Sequence, residues 1–126
     1  MIHGVGTDIF DIKRIRVMSP NWDDPFFIKT FTENEREKGI TCNDPARYFA
    51  KRFSGKEAVF KSLHILSNEI RLNEIEILND YEGRPFVTLY GEAKRLTDEI
   101  GIKQVFISLS DDGDMVISFA VSVYAV

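Results

Sequence analysis

The longest regular pattern in the chain is helical. From Asp44 to about Leu66, Phe49, Phe53 and Phe60 fall near one another on a wheel of about 100° per residue, the signature of a buried stripe. Asp44-Pro45 supplies an N-cap and a first-turn proline. A shorter helix is predicted from Thr32 to Gly39: Thr32 and Glu35 have capping-box spacing, and Gly39 reads as its stop. Gly91 to Ile100 is a third helix, with Leu96 and Ile100 inward and Gly101 as its stop. Phe10 to Met18 is weakly helical with a basic outer face, and Asn21 to Phe27 is a loop entering a short helix.

The remaining patterned segments alternate with period two. Ile2 to Ile9, Glu74 to Leu78, Phe86 to Tyr90, Val105 to Ser110 and Met115 to Val126 read as strands. Turn residues from Asp80 to Pro85 make the second and third a hairpin, and an Asp111-Asp112-Gly113-Asp114 turn joins the last two. Hairpins between helices predict an α+β domain built mainly on antiparallel sheet. Gly4 and Gly6 interrupt the first strand, which marks a bulge or a close approach by backbone or ligand. Gly55 in mid-helix costs roughly 1 kcal/mol against alanine and predicts close packing, of another backbone for instance.

Composition narrows the class. The 126 residues fit one domain, 44% are apolar and 29% charged, as in an ordinary globular protein. A net charge of -4 argues against general nucleic-acid binding but leaves room for a local phosphate site. The longest apolar run, Met115 to Val126, is too short to span a bilayer. The single cysteine, Cys42, excludes an internal disulfide; with no leader pattern, a cytoplasmic protein is expected. His3 and His64, the only histidines, have no partner pattern and read as structural.

Candidate chemistry lies beside the phenylalanine stripe. Ala50, Ser54, Glu57 and Lys61 share a second helix face, with Arg47 at its edge, and the two small residues leave space next to an acid and a base. Glu57 and Lys61 also have the spacing of a surface ion pair, and Asp8 at a strand end also suits a solvated carboxylate. Spacing alone leaves both readings open.

The series of motifs is more specific. Gly4-Val5-Gly6-Thr7-Asp8-Ile9 with Ile12-Lys13-Arg14-Ile15, Phe31-Thr32 with Glu35, the run Arg47 to Ala58 with Lys61, Gly83-Arg84-Pro85, Gly91 and Ser108-Leu109-Ser110 resemble the holo-acyl-carrier-protein synthases, in order and over nearly the whole chain. The resemblance implies the small 4′-phosphopantetheinyl transferase fold, assembled as a homotrimer with active sites at subunit interfaces. It implies transfer of 4′-phosphopantetheine from coenzyme A to a serine of apo-acyl carrier protein, releasing 3′,5′-ADP. By the same resemblance Asp8 and Glu57 bind magnesium, and Lys61 lies by the diphosphate as a catalytic group. Arg52 contacts a nucleotide phosphate, and Gly83 and Pro85 flank the adenine. Ser110 and Asp111 stand where the nucleotide is held, and Arg14 meets the carrier. Magnesium needs only one or two carboxylates plus substrate phosphates, which Asp8 and Glu57 satisfy. The residues leave open whether Glu57 or a metal-bound water takes the serine proton.

Two places depart from the family pattern. Asp111-Asp112 replaces the usual His-Thr, so a carboxylate stands where a phosphate is held unless a cation intervenes. Asn21-Trp22-Asp23-Asp24-Pro25 is acidic where relatives are basic, which leaves Lys13, Arg14 and Arg16 for an acidic partner and Trp22 as either an apolar anchor or plain packing. The alternatives to an enzyme are a non-catalytic module of the same fold that binds coenzyme A or carrier, and a purely structural trimer.

Overall fold

A computed structural model describes residues 1–18 and 20–125. In chain order it contains β1 (Ile2–Asp11), α1 (Lys13–Arg16), α2 (Pro25–Thr30), α3 (Glu33–Ile40), α4 (Pro45–Leu63), β2 (Ile75–Asn79), β3 (Pro85–Leu89), α5 (Gly91–Ile100), β4 (Ile102–Asp112) and β5 (Met115–Tyr124). The strands form two antiparallel sheets, β1-β5-β4 and β2-β3, so the α+β expectation holds. α4 lies across β1 and β5 and also meets β2.

Gly4 and Gly6 explain how closely α4 approaches. A Cβ on Gly6 would overlap the Ala58 carbonyl oxygen, and one on Gly4 the Ser62 carbonyl. The glycine pair therefore marks a backbone contact, with a register shift between Ile2 and Gly4. Gly55 has a different reason: its missing Cβ makes room for the side chains of Ile77 and Leu109, not for a backbone.

Aromatic packing fills one end of the molecule. Phe27, Phe31 and Phe49 are fully buried, and Trp22 packs between Phe27 and Phe49 with ring centroids 5.2 and 5.3 Å away. That makes Trp22 a packing residue of this chain. Phe53 joins this cluster, whereas Phe60 packs on a second one built around Val59, Leu63, Ile75 and Ala93.

Several boundaries differ from expectation. α4 stops at Leu63 because His64 turns left-handed at φ 52°, and Leu66 is fully exposed beyond it. Gly39 does not end α3, which continues to Ile40; a Cβ there would strike the Phe49 ring. Thr32 and Glu35 do form the reciprocal capping box. In α5 the inward positions are Ala93 and Thr97, with Leu96 partly buried and Ile100 exposed. The segment Phe10 to Met18 is helical only from Lys13, because β1 continues through Asp11. Asp111 and Asp112 pair with Val116 and Met115, so they belong to β4 and only Gly113 and Asp114 turn the chain. The expected strand end at Val126 lies outside the described residues.

The least expected feature is an ion pair in the core. Lys56 and Glu35 are both 0% exposed and joined at 2.7 Å. Lys56 Nζ also donates to the carbonyls of Leu72 and Ile75, while Glu35 accepts from the backbone N–H groups of Thr32 and Ile77. The pair thus ties α3 and α4 to β2. Burial pushes the Glu35 carboxyl up and the Lys56 ammonium down; their mutual attraction opposes both shifts. Removing one partner strands the other charge in the interior. Lys56→Met is therefore expected to cost about 3–5 kcal/mol in urea denaturation, and Glu35→Gln added to it to restore part of that. An unchanged midpoint for the single variant would show the pair to be energetically idle.

Candidate active site

Alternation along β1 puts Gly4, Gly6, Asp8 and Phe10 toward α4. The same face of β5 carries Ser118, which is paired to Asp8 across the sheet and donates to Ser54 on α4 at 2.8 Å. The small side chains there let α4 sit low enough for its next turn to reach the strand. Lys61 Nζ donates to the Thr7 carbonyl at 2.9 Å and lies 3.3 Å from Asp8 Oδ1. The Lys61 side chain is 51% exposed and that of Asp8 only 15%. Glu57, half-buried one turn before Lys61, is held above the usual carboxylate range. Burial is the main cause and the Asp8 charge the next, with Lys61 pulling the other way.

Two acids and one amine, drawn from β1 and α4, thus share one site. The crowding of Glu57 by Asp8 is what a divalent cation would relieve. Among the described residues no group of three or more His, Cys, Asp or Glu is placed to hold a metal. A cation bound here would therefore take two protein oxygens and fill its shell with water and phosphate oxygens, which suits magnesium.

The other residues singled out from the sequence lie elsewhere. Arg52 is buried, its Nε donating to the Ile77 carbonyl at 3.3 Å and its Nη2 to Asn79 Oδ1 at 3.0 Å, with its guanidinium 4.3 Å from the centre of the Tyr48 ring. Asn79 pairs with Pro85, and Gly83 sits in the same hairpin turn at φ 85° with open space around it. Arg52, Gly83 and Pro85 therefore gather at the β2–β3 tip, beside a cleft of about 300 Å³ between that hairpin and β4. Arg52 and Glu57 are about 140° apart around α4, so the two groups face different sides of one chain. Ser110 and Asp111 diverge as well: Asp111 turns toward α4, and Ser110 lies on the opposite face of β4, in register with Ile117. Arg14 is exposed on α1, 4.7 Å over the Phe10 ring.

Comparison with known proteins gives these positions their context. Residues 4–120 match the family described as the 4′-phosphopantetheinyl transferase superfamily. The chain belongs to this superfamily. A holo-acyl-carrier-protein synthase of Natranaerobius thermophilus is 38% identical over 110 residues, covering 87% of this chain and 88% of that protein. The crystal structure of the Neisseria meningitidis holo-acyl-carrier-protein synthase superposes with a TM-score of 0.86 at 34% identity, covering 97% of this chain and 98% of the other. A Chronobacterium ammoniagenes synthase in complex with coenzyme A does so with a TM-score of 0.81 at 28% identity, covering 97% of each chain. The fold and the enzyme class expected from the motifs are thus those of the family.

Two buried charges of this phosphopantetheinyl transferase escaped the sequence reading, Lys56 and the buried role of Glu35. A signal was present: Phe49, Lys56 and Phe60 share heptad-like spacing, which places a cation inside the apolar stripe. For the acidic site, Glu57→Gln removes a crowded charge. Without metal at neutral pH the variant is expected to melt above the wild type, and millimolar magnesium to raise the wild-type melting temperature more than the variant's. Equal magnesium responses in differential scanning calorimetry would separate Glu57 from the metal.

Proposed function

We propose that this chain transfers 4′-phosphopantetheine from coenzyme A to a serine of an apo-acyl carrier protein, with magnesium, releasing 3′,5′-ADP. The observation that carries this reading is the convergence of Asp8, Glu57 and Lys61 at the α4–β1 contact in a chain of this superfamily. Asp8 and Glu57 would hold the metal, which when bound supplies positive charge against the diphosphate oxygens. Lys61 is exposed enough to meet a phosphate and is oriented by the Thr7 carbonyl, so it can stabilise or protonate the departing phosphate. Glu57, with its raised proton affinity, can accept the serine proton when it is free to do so. Arg14 faces the carrier: Lys13 and Arg16 are engaged with Asp114 and Asp44, whereas Arg14 stacks on Phe10.

The same reading makes the active form a homotrimer in the cytoplasm. Val5, Ile9, Phe106, Ile117 and Phe119 are exposed on the face of the three-stranded sheet away from α4. Such a face is costly in water and suits a subunit interface. A neighbouring copy would also bring a hairpin tip with Arg52, Gly83 and Pro85 to the acids that the same chain turns elsewhere. A second reading, a module that binds coenzyme A without turnover, draws on Asp111, whose carboxylate occupies nearby cations.

The test is the mass of an apo carrier protein mixed with coenzyme A and this protein. A gain of one phosphopantetheine arm with magnesium, abolished by chelator, is expected. Asp8→Ala and Lys61→Ala should slow it by about 10²- to 10³-fold, the cost of losing one group that stabilises developing charge. Coenzyme A binding with no mass gain on any carrier would favour the module. Sedimentation checks the assembly: Phe119→Lys is expected to turn a trimer into monomers, and a monomeric wild type would end the trimer reading.

A further inference from the structure

α4 presents two cations one turn apart near its start, Arg47 and Lys51. Both point at the end of β4. There Asp111 follows Ile107 and Leu109 on the helix-facing side and gives one carboxylate oxygen to each cation: Oδ2 to Arg47 Nη1 and Oδ1 to Lys51 Nζ, the latter at 3.2 Å. The guanidinium is fixed from two further directions, since Arg47 Nη1 donates to the Gly113 carbonyl at 3.0 Å and Nε to Asp44 at 3.3 Å. Burial pushes the Asp111 carboxyl up, but the hydrogen bonds and charges of Lys51 and Arg47 outweigh it, so the group sits below its usual range and is ionised at neutral pH.

A fixed guanidinium beside an ammonium is the arrangement that grips phosphate oxygens. This one is open to solvent: the side chains of Arg47, Lys51 and Asp111 are 32%, 28% and 25% exposed. Exposed ion pairs are weak, so a doubly charged ligand can compete with a single carboxylate. Accepting coenzyme A as the substrate, we propose that Asp111 is a resident competitor for a phosphate monoester at the Arg47–Lys51 clamp. The monoester is the ribose phosphate of coenzyme A, and Asp111 lowers this chain's preference for coenzyme A over its dephospho form. The diphosphate and the pantetheine arm are common to both nucleotides, so the ratio of their affinities isolates the clamp.

Calorimetric titration of the whole protein with coenzyme A and with dephospho-coenzyme A tests this. Asp111→Asn keeps the shape of the side chain and removes its charge. It is expected to tighten coenzyme A about tenfold and leave dephospho-coenzyme A within about twofold. Lys51→Gln added to Asp111→Asn should remove most of that gain; retention of the gain would take Lys51 out of the clamp and overturn the proposal. An unchanged ratio in Asp111→Asn would also overturn it and leave Asp111 as a tie between β4 and α4. A melting-temperature rise with inorganic phosphate alone, without a change in the nucleotide ratio, would make free phosphate the ligand and likewise overturn it. Failure of the transfer reading looks different: no carrier gains mass, whatever the ratio of the two nucleotides.

Discussion

α4 rests on β1 at backbone distance, and glycine at positions 4 and 6 is what permits it. The geometry of the candidate acidic site follows from that approach. Any side chain at Gly6 would lift the helix off the Ala58 carbonyl contact, and the lift would carry Glu57 and Lys61 away from Asp8. The small residues Ser54, Ala58 and Ser62 complete the fit from the helix side, all of them fully buried. Close packing of this kind is unforgiving, because interiors are packed like crystals and absorb volume poorly. The same contact that stabilises the domain therefore sets the spacing of two carboxylates and an amine.

The opposite side of α4 is held by charge. Lys56 and Glu35 are buried with the ammonium bonded to three oxygens and both carboxylate oxygens accepting hydrogen bonds, and Arg52 uses its guanidinium on the end of β2 and on the Tyr48 ring. Burying an ion pair contributes little net stability compared with an apolar pair of the same size, but it tolerates few alternative geometries. Here it joins α3, α4 and β2, so the β2–β3 hairpin has a defined place relative to the helix. The hairpin tip, with Gly83 and Pro85, inherits that place. One helix thus carries two dissimilar faces: a close-packed one that assembles the acidic site and an ionic one that positions a loop on another side of the chain.

That division bears on the proposed transfer. Were the diphosphate of coenzyme A to meet the acids and its adenosine the hairpin tip, one chain alone would not serve both, because Arg52 and Glu57 lie about 140° apart around α4. In the proposed trimer, the exposed apolar face of the three-stranded sheet would be where copies associate, and association would supply that proximity. The charged rim at Arg47, Lys51 and Asp111 lies where β4 passes the start of α4, so the acid that departs from the family pattern meets cations of its own chain before it meets any ligand.

Local rules were enough for much of this. The capping box at Thr32 and Glu35, the Asp44-Pro45 start of α4, the hairpin turn at Asp80 to Pro85 and the stop at Gly101 depend on backbone chemistry within a few residues, and the sequence carries all of it. The order of motifs likewise placed the chain in its superfamily and pointed to Asp8, Glu57 and Lys61, which the fold brings close together. What the sequence could not decide were the contacts between distant segments. Gly39 looked like a stop and is a packing glycine beneath Phe49; Glu35 looked like a cap and is also the counterion of Lys56; Asp111 looked like a turn residue and is a strand residue clamped by Arg47 and Lys51. Each of these depends on which side chain arrives from far along the chain, and only the tertiary structure, which balances desolvation against a partner actually present, determines that.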